Sequence, residues 1–100
     1  MTDRGLVLVV EDEKPISDLL RLYLTREGFG VHAEFDGVGG LTAARTRHPV
    51  AIVLDVGLPG LDGTEVCGQL RAEDNWVPVC LLYTSPSPRD LSTSRMPSSA

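Results

Sequence analysis

The chain has 100 residues, a net charge of −5 at neutral pH and 42% hydrophobic residues, enough for the core of one small domain. The acidic balance argues against nucleic acid or an anionic membrane as a direct partner. Cys67 and Cys80 lack the spacing of a zinc site or redox motif, which favours reduced thiols in a cytoplasmic protein. No apolar run is long enough to span a membrane, and residues 1–15 lack the apolar segment of a signal peptide.

The first half of the chain predicts two strands that alternate with two helices. Residues 6–10 read LVLVV, a short Val-rich run typical of a strand buried on both faces of a parallel sheet. Pro15 opens a helix that ends at Gly28. A weaker strand, VHAEF, covers residues 31–35, and a second helix covers residues 38–48. The inward stripe of the first helix consists of Ile16, Leu19, Leu20, Tyr23 and Leu24.

The second half repeats this alternation. Residues 51–54 form another buried-strand run, which ends in Asp55 and the loop VGLPGLDG. A third helix follows over residues 64–73, with Val66 and Leu70 facing inward, and a fourth strand starts within residues 75–78. The order β-α-β-α-β-α-β predicts an α/β fold: a doubly wound parallel sheet with right-handed crossovers and helices on both faces.

Carboxylates follow two of the most apolar strands. Glu11 and Asp12 follow the first strand, and Asp55 ends the third. Sites in parallel sheets form at the carboxyl ends of the strands, so neighbouring strands would bring these acids together. Three close carboxylates repel one another unless a cation neutralises them, and an all-oxygen site suits Mg²⁺. A single acid at a strand end is more often a turn residue or a helix cap, and we interpret Glu13 and Asp62 in that way.

Residues 6–79 resemble the receiver domain of bacterial two-component response regulators. The resemblance lies in VVEDE at residues 9–13, LDVGLPGLDG at residues 54–63 and VPV at residues 77–79. It implies a flavodoxin-like fold with strand order 2-1-3-4-5. Only β1-α1-β2-α2-β3-α3-β4 of that fold is recognisable in this sequence, followed by an irregular tail.

The resemblance also implies roles for individual residues. Asp55 would accept a phosphoryl group from a sensor histidine kinase. Glu11, Asp12 and Asp55 would hold Mg²⁺ together with the backbone carbonyl of Gly57, and Pro59 and Gly63 would shape the loop. The domain would act as a cytoplasmic signalling switch rather than an enzyme, and it would control an output domain absent from this sequence. A receiver dimer is a possible state of the full-length parent.

Two other functions stay open at this point. A phosphatase of the haloacid-dehalogenase type also uses an aspartyl nucleophile at a strand end, but it needs a second Asp two residues later, where this chain has Gly57. A receiver-shaped interaction module that is never phosphorylated would not need Glu11, Asp12 and Asp55 together.

The end of the sequence departs from the receiver pattern. The family's Thr or Ser after the fourth strand falls at Tyr83, with Thr84 one residue late, and its Lys is missing because Lys14 is the only lysine. Residues 80–90, CLLYTSPSPRD, and 94–100, SRMPSSA, resemble the two ends of a translated sequencing adaptor. We therefore expect a truncated receiver over residues 1–79 and a non-native, disordered tail over residues 80–100. Leu81 and Leu82 would extend the fourth strand by chance, and the fragment would not be a competent switch.

Four further positions are expected to be unremarkable. His32 and His48 are expected at the surface, and residues 45–47 are expected to form a solvated helix end. Trp76 is expected to cover the edge of the core.

Overall fold

A computed structural model describes residues 4–82 as four strands and three helices. The strands form one parallel sheet in which the second, first, third and fourth strands of the chain lie side by side in that order. This confirms the predicted α/β fold, and the order agrees with the first four strands of a flavodoxin-like sheet. In chain order the elements are β1 (Leu6–Val10), α1 (Lys14–Arg26), β2 (Gly30–Glu34), α2 (Gly37–Arg47), β3 (Ala51–Asp55), α3 (Gly63–Ala72) and β4 (Val79–Leu82).

The strand β4 begins later than the sequence predicted. Residues 75–78 form a connection held by side chains: the guanidinium of Arg71 donates to the carbonyls of Asn75 and Val77 at 3.0 and 2.9 Å, respectively. The side chain of Asn75 accepts from the Val77 N–H at 3.2 Å. These bonds occupy backbone groups that a strand would use, so regular pairing starts at Val79 and continues through Leu82.

The main core lies between the sheet and the two helices α2 and α3. Val66 and Leu70 of α3 are fully buried, as predicted. The sheet contributes alternate residues, since successive side chains of a strand point to opposite faces. The buried cluster consists of Leu8, Val10, Leu41, Ala43, Ala44, Ile52, Leu54, Leu58, Val66 and Leu70.

The opposite face of the sheet is only half covered within residues 4–82. Helix α1 packs on β1 and β2. On the same face of β4, Cys80 is exposed. The predicted inward stripe of α1 is therefore divided: Leu20 is half-buried, whereas Leu19 and Tyr23 are 50% and 55% exposed.

Trp76 does not cover the core edge, so that prediction is wrong. Its side chain is 68% exposed, its ring lies under the guanidinium of Arg71, and its indole N–H donates to Asp74 at 2.8 Å. At the surface, the Trp76 ring thus contacts the cation of Arg71 and the carboxylate of Asp74.

Three residues expected at the surface have the following environments. Arg45 is exposed but forms an ion pair with Glu73 that links α2 to α3. His48 is exposed and ends α2 in a left-handed conformation. His32 is half-buried, and its ring nitrogen lies 2.7 Å from Glu34.

The predicted irregular tail, with Tyr83 and Thr84, lies outside the described residues, so the domain boundary at Val79 stays a prediction. Cys80, Leu81 and Leu82 belong to β4, where they pair with Val53, Leu54 and Asp55. Within residues 4–82, no helix is long and apolar enough to cross a membrane.

Candidate functional site

The carboxylates that follow β1 and end β3 meet at one edge of the sheet. The two strands are neighbours, with Val10 aligned to Leu54, so the residues next along each strand are side by side. Glu11, Asp12 and Asp55 each place one carboxylate oxygen within 4.8 Å of the others. The structure thus brings together the three acids that the sequence singled out.

The three acids differ in their exposure to solvent. Glu11 is completely buried and Asp55 is 2% exposed, whereas Asp12 is exposed. Charged side chains are rarely buried without a partner, because removal from water disfavours the ionised form. Two carboxyl groups of the cluster, those of Glu11 and Asp55, are therefore shielded from solvent, and that of Asp12 faces the solvent.

Burial and the neighbouring acids perturb Glu11. Desolvation is the largest cause that raises its pKa, from 4.5 to about 7, and a hydrogen bond and repulsion from Asp55, followed by repulsion from Asp12, act in the same direction. The backbone N–H of Glu13, which donates to Glu11 Oε2 at 3.0 Å, opposes this shift. A hydrogen bond between two carboxyl groups requires a proton on one of them, and this requirement fits the raised pKa of Glu11.

The loop after β3 fixes the backbone around Asp55. The N–H of Gly57 donates to Asp55 Oδ1 at 3.1 Å. Gly63 packs directly on the peptide of Asp55: a Cβ at this position would lie 2.5 Å from the Asp55 carbonyl oxygen. The N–H of Gly63 donates to the carbonyl of Val56 at 3.1 Å and closes the loop. The Asp55 side chain is therefore held by a loop that tolerates no side chain at position 63.

The donor set fits a hard divalent cation. All three clustered side chains offer oxygen, the ligand type that Mg²⁺ binds, and they come from adjacent strand ends. Glu11 Oε1 is buried and has no hydrogen-bond partner within residues 4–82. A buried acceptor without a donor is costly, and a cation would satisfy it. The N–H of Gly57 donates to the Asp55 side chain. The role of the Gly57 carbonyl as a metal ligand stays a prediction.

Two acids near the cluster have the structural roles expected from the sequence. Asp62 caps α3: its Oδ1 accepts from the N–H of Glu65 at 3.0 Å, and this bond is the main cause that lowers its pKa. Glu13 precedes α1 and contributes its backbone N–H to Glu11, a contact that residue type alone could not predict. Lys14, the only lysine of the chain, pairs with Asp18 at 3.3 Å on the exposed face of α1.

Comparison with known proteins gives a consistent family assignment. A family model described as "Response regulator receiver domain" matches residues 7–93, a range that extends past Val79. The transcriptional regulatory protein CseB of Streptomyces coelicolor is 45% identical over 82 residues, which are 82% of this chain and 35% of CseB. The chain spans about a third of the length of the curated relatives that it matches.

Solved structures give the same result. The receiver domain of the Francisella response regulator 1452 superposes with a TM-score of 0.78 and 29% identity, covering 87% of this chain and 72% of that one. A chain in the crystal structure of histidine kinase ThkA in complex with response regulator protein TrrA superposes with a TM-score of 0.74 and 30% identity. That match covers 84% of this chain and 72% of the other.

Proposed function

The chain belongs to the response regulator receiver family, and we propose that its function is to accept a phosphoryl group on Asp55 and pass on that change as a signal. The observation that carries the proposal is the convergence of Glu11, Asp12 and Asp55 at the carboxyl ends of β1 and β3. Asp55 is the member of the cluster whose main chain and side chain are both held by the following loop.

In the proposed reaction the Asp55 carboxylate attacks phosphorus of the donor. A P–O bond forms to Asp55, and the bond from phosphorus to the donor breaks, with its electron pair leaving on the donor. The product is an aspartyl phosphate, which adds charge to a nearly buried position. The N–H of Gly57 keeps the carboxylate oriented through Oδ1 while the other groups reorganise.

Glu11, Asp12 and Asp55, with the Gly57 carbonyl, would hold Mg²⁺ in this site. The cation supplies charge neutralisation, which lets an anionic donor approach three carboxylates. The buried Oε1 of Glu11 supports this assignment, because a cation would give it the partner that the described residues lack. Asp12, at the solvent side, leaves the cluster open to an incoming phosphodonor.

The proposed donor is a sensor histidine kinase. The similarity to a chain in the complex of histidine kinase ThkA with response regulator TrrA supports a partner of this class. The curated relatives named as transcriptional regulatory proteins support an output that controls transcription, through segments beyond the part that this chain covers.

The alternative phosphatase function has less support. The enzyme of that class needs an Asp two residues after the nucleophile, and Gly57 offers only backbone groups there. An interaction module that is never phosphorylated is also disfavoured, since burying Glu11 and Asp55 beside each other destabilises the fold without serving such a module.

Phosphoryl uptake tests the proposed function. The chain is incubated with acetyl phosphate, and the mass gain of one phosphoryl group is followed with Mg²⁺ or with excess chelator. We expect uptake only with Mg²⁺ and none in Asp55→Asn. Asp74→Asn is the matched control: it removes the same charge at a position whose positive φ of 63° Asn also tolerates. Uptake that persists in Asp55→Asn or in chelator would exclude the proposal.

Calorimetric titration tests the metal assignment separately. We expect the folded chain to bind Mg²⁺ weakly, because the three acidic ligands lie on elements within the described residues. Asp12→Ala should reduce the affinity by about tenfold or more, as expected for loss of one group of a metal site. Unchanged affinity in Asp12→Ala would remove Asp12 from the ligand set.

We also propose that the native part of this sequence is a receiver truncated after Val79 and that residues 80–100 come from a sequencing adaptor. The resemblance of residues 80–90 and 94–100 to the adaptor ends supports this boundary. Resequencing the source DNA across codon 80 tests it. We expect the genomic coding sequence to differ from this one after codon 79 and to encode the missing Lys. Recovery of a genomic sequence that encodes CLLYTSPSPRD at this place would contradict the boundary.

A further inference from the structure

The start of α2 is packed against the loop that follows Asp55. Gly37, the first residue of α2, is buried. A Cβ at this position would lie 2.7 Å from the carbonyl carbon and 2.8 Å from the Cβ of Leu61, and it would overlap the Leu61 carbonyl oxygen. A clash with backbone atoms cannot be relieved by a side-chain rotation, so only glycine allows this approach.

The contact is connected to Asp55 by a short path. Leu61 lies two residues before Gly63, and Gly63 packs on the Asp55 peptide. On the other side, the Leu61 side chain packs against the main core. The loop of residues 56–62 is thus held between the first turn of α2 and the end of β3.

From this packing we infer that Gly37 is a positioning residue for the phosphoacceptor site, acting through Leu61 and the loop of residues 56–62. Any side chain at position 37 displaces the Leu61 carbonyl, and with it the loop that carries Gly57 and leads into Gly63. Gly37 itself contributes no group to the acidic cluster. Gly37 affects the position of Asp55 only indirectly, through the conformation of the loop of residues 56–62.

The first turn of α2 is itself fixed by a cap. Asp36 accepts a hydrogen bond from the N–H of Gly39 at 2.7 Å, and its carbonyl accepts from Gly40 at 3.0 Å. Loss of the cap would loosen the turn that presses on Leu61 without introducing a clash. Asp36 thus offers a milder perturbation of the same contact.

The inference rests on the proposed function, and the experiment separates the two. Mg²⁺ affinity and the rate of phosphoryl uptake from acetyl phosphate are measured for Gly37→Ala at a temperature where the chain is folded. We expect both to fall by about tenfold or more, the size typical of losing a group that orients metal ligands. If the wild-type chain neither binds Mg²⁺ nor takes up phosphate, the proposed function fails, and the inference is then tested by hydrogen exchange alone.

Amide hydrogen exchange measures local opening of the loop of residues 56–62 and needs no ligand. The N–H of Gly57 is hydrogen-bonded to the Asp55 side chain, and the N–H of Gly63, which follows the loop, is hydrogen-bonded to the carbonyl of Val56. We expect Gly37→Ala to accelerate their exchange more than that of the β1 amides, because the displaced loop opens locally. Equal acceleration throughout the chain would indicate only a loss of global stability and would overturn the inference.

Two controls match the substitution. Gly68→Ala makes the same change in α3, where a Cβ meets no atom within 4 Å, and it should leave the Mg²⁺ affinity unchanged and should not accelerate exchange. Ile52→Val removes a methylene from a buried side chain at the far end of β3, and it should lower the melting temperature without changing the Mg²⁺ affinity. A Gly37→Ala variant that behaves like Ile52→Val would show a merely structural role.

The Asp36 variants keep the inference testable if Gly37→Ala does not fold. Asp36→Ala should weaken Mg²⁺ binding and accelerate exchange of the Gly57 and Gly63 amides. Asp36→Asn removes the same charge but keeps an equally good cap, and it should restore both to the wild-type values. Asp36→Ala with unchanged loop exchange, or Asp36→Asn with the same loss as Asp36→Ala, would overturn the inference.

Discussion

Replacement of Glu11 by Gln should stabilise the metal-free fold in a pH-dependent way. The amide keeps the size of the carboxyl group, can accept the hydrogen bond from the Glu13 N–H, and can donate its own hydrogen to Asp55. It removes a buried charge that lies beside two other acids. Glu11→Gln should therefore raise the free energy of unfolding at pH 8 and weaken Mg²⁺ binding at the same time.

The magnitude follows from the pKa of Glu11, which is raised from 4.5 to about 7. A raised pKa means that the folded chain binds the proton more tightly than the unfolded chain. Stability from this group is thus fully present below pH 4.5 and is lost as the pH rises through 7. The raised pKa corresponds to at most about 3.5 kcal/mol, since one pKa unit is about 1.4 kcal/mol.

Urea unfolding of wild type and Glu11→Gln at pH 5 and pH 8, without Mg²⁺ and at one fixed protein concentration, measures this effect. The difference in unfolding free energy between the two proteins isolates the contribution of position 11 at each pH. We expect the advantage of Glu11→Gln over wild type to be larger at pH 8 than at pH 5, by at most about 3 kcal/mol. An equal difference at both pH values would refute the assigned environment of Glu11.

Three further outcomes are expected. Leu70→Ala, at a fully buried position of α3, should cost about 2–5 kcal/mol of stability, and a loss below about 1 kcal/mol by urea unfolding would contradict the assigned core. Trp76→Phe should leave the melting temperature and Mg²⁺ affinity nearly unchanged, because the ring is 68% exposed; a fall in either would place Trp76 in the core or near the site. The 100-residue chain should melt broadly and with a transition that depends on protein concentration, because β4 is an edge strand of the sheet within residues 4–82 and large side chains such as Tyr23 are exposed. A sharp, concentration-independent transition with dispersed amide NMR signals would contradict this.

Local patterns were sufficient to predict most of the elements, and the acidic cluster needed one further relation between strands. LVLVV predicts β1 with the bounds that the structure has. The acids converge because parallel strands end at the same edge of a sheet, so the cluster follows once β1 and β3 are known to be neighbours. The resemblance to receivers supplied that neighbour relation.

The errors and omissions come from tertiary contacts. The position of Trp76 depends on the Arg71 side chain and on the turn at Asp74, neither of which leaves a periodic signal. The approach of Gly37 to Leu61 joins residues that are distant in sequence, and an Asp-Gly pair before a helix predicts only a turn and a cap. The burial of Glu11 likewise follows from packing, since the motif marks it as acidic but does not distinguish its exposure from that of Asp12.

Direct localisation of the phosphoryl group tests the central claim. The chain is treated with acetyl phosphate and Mg²⁺, reduced with borohydride to convert an aspartyl phosphate into homoserine, and sequenced by tandem mass spectrometry. We expect homoserine at position 55 and unmodified aspartate at positions 12 and 62, with no conversion when Mg²⁺ is chelated. Homoserine at either of those two positions, or unmodified Asp55 in a chain that has taken up phosphate, would contradict the account.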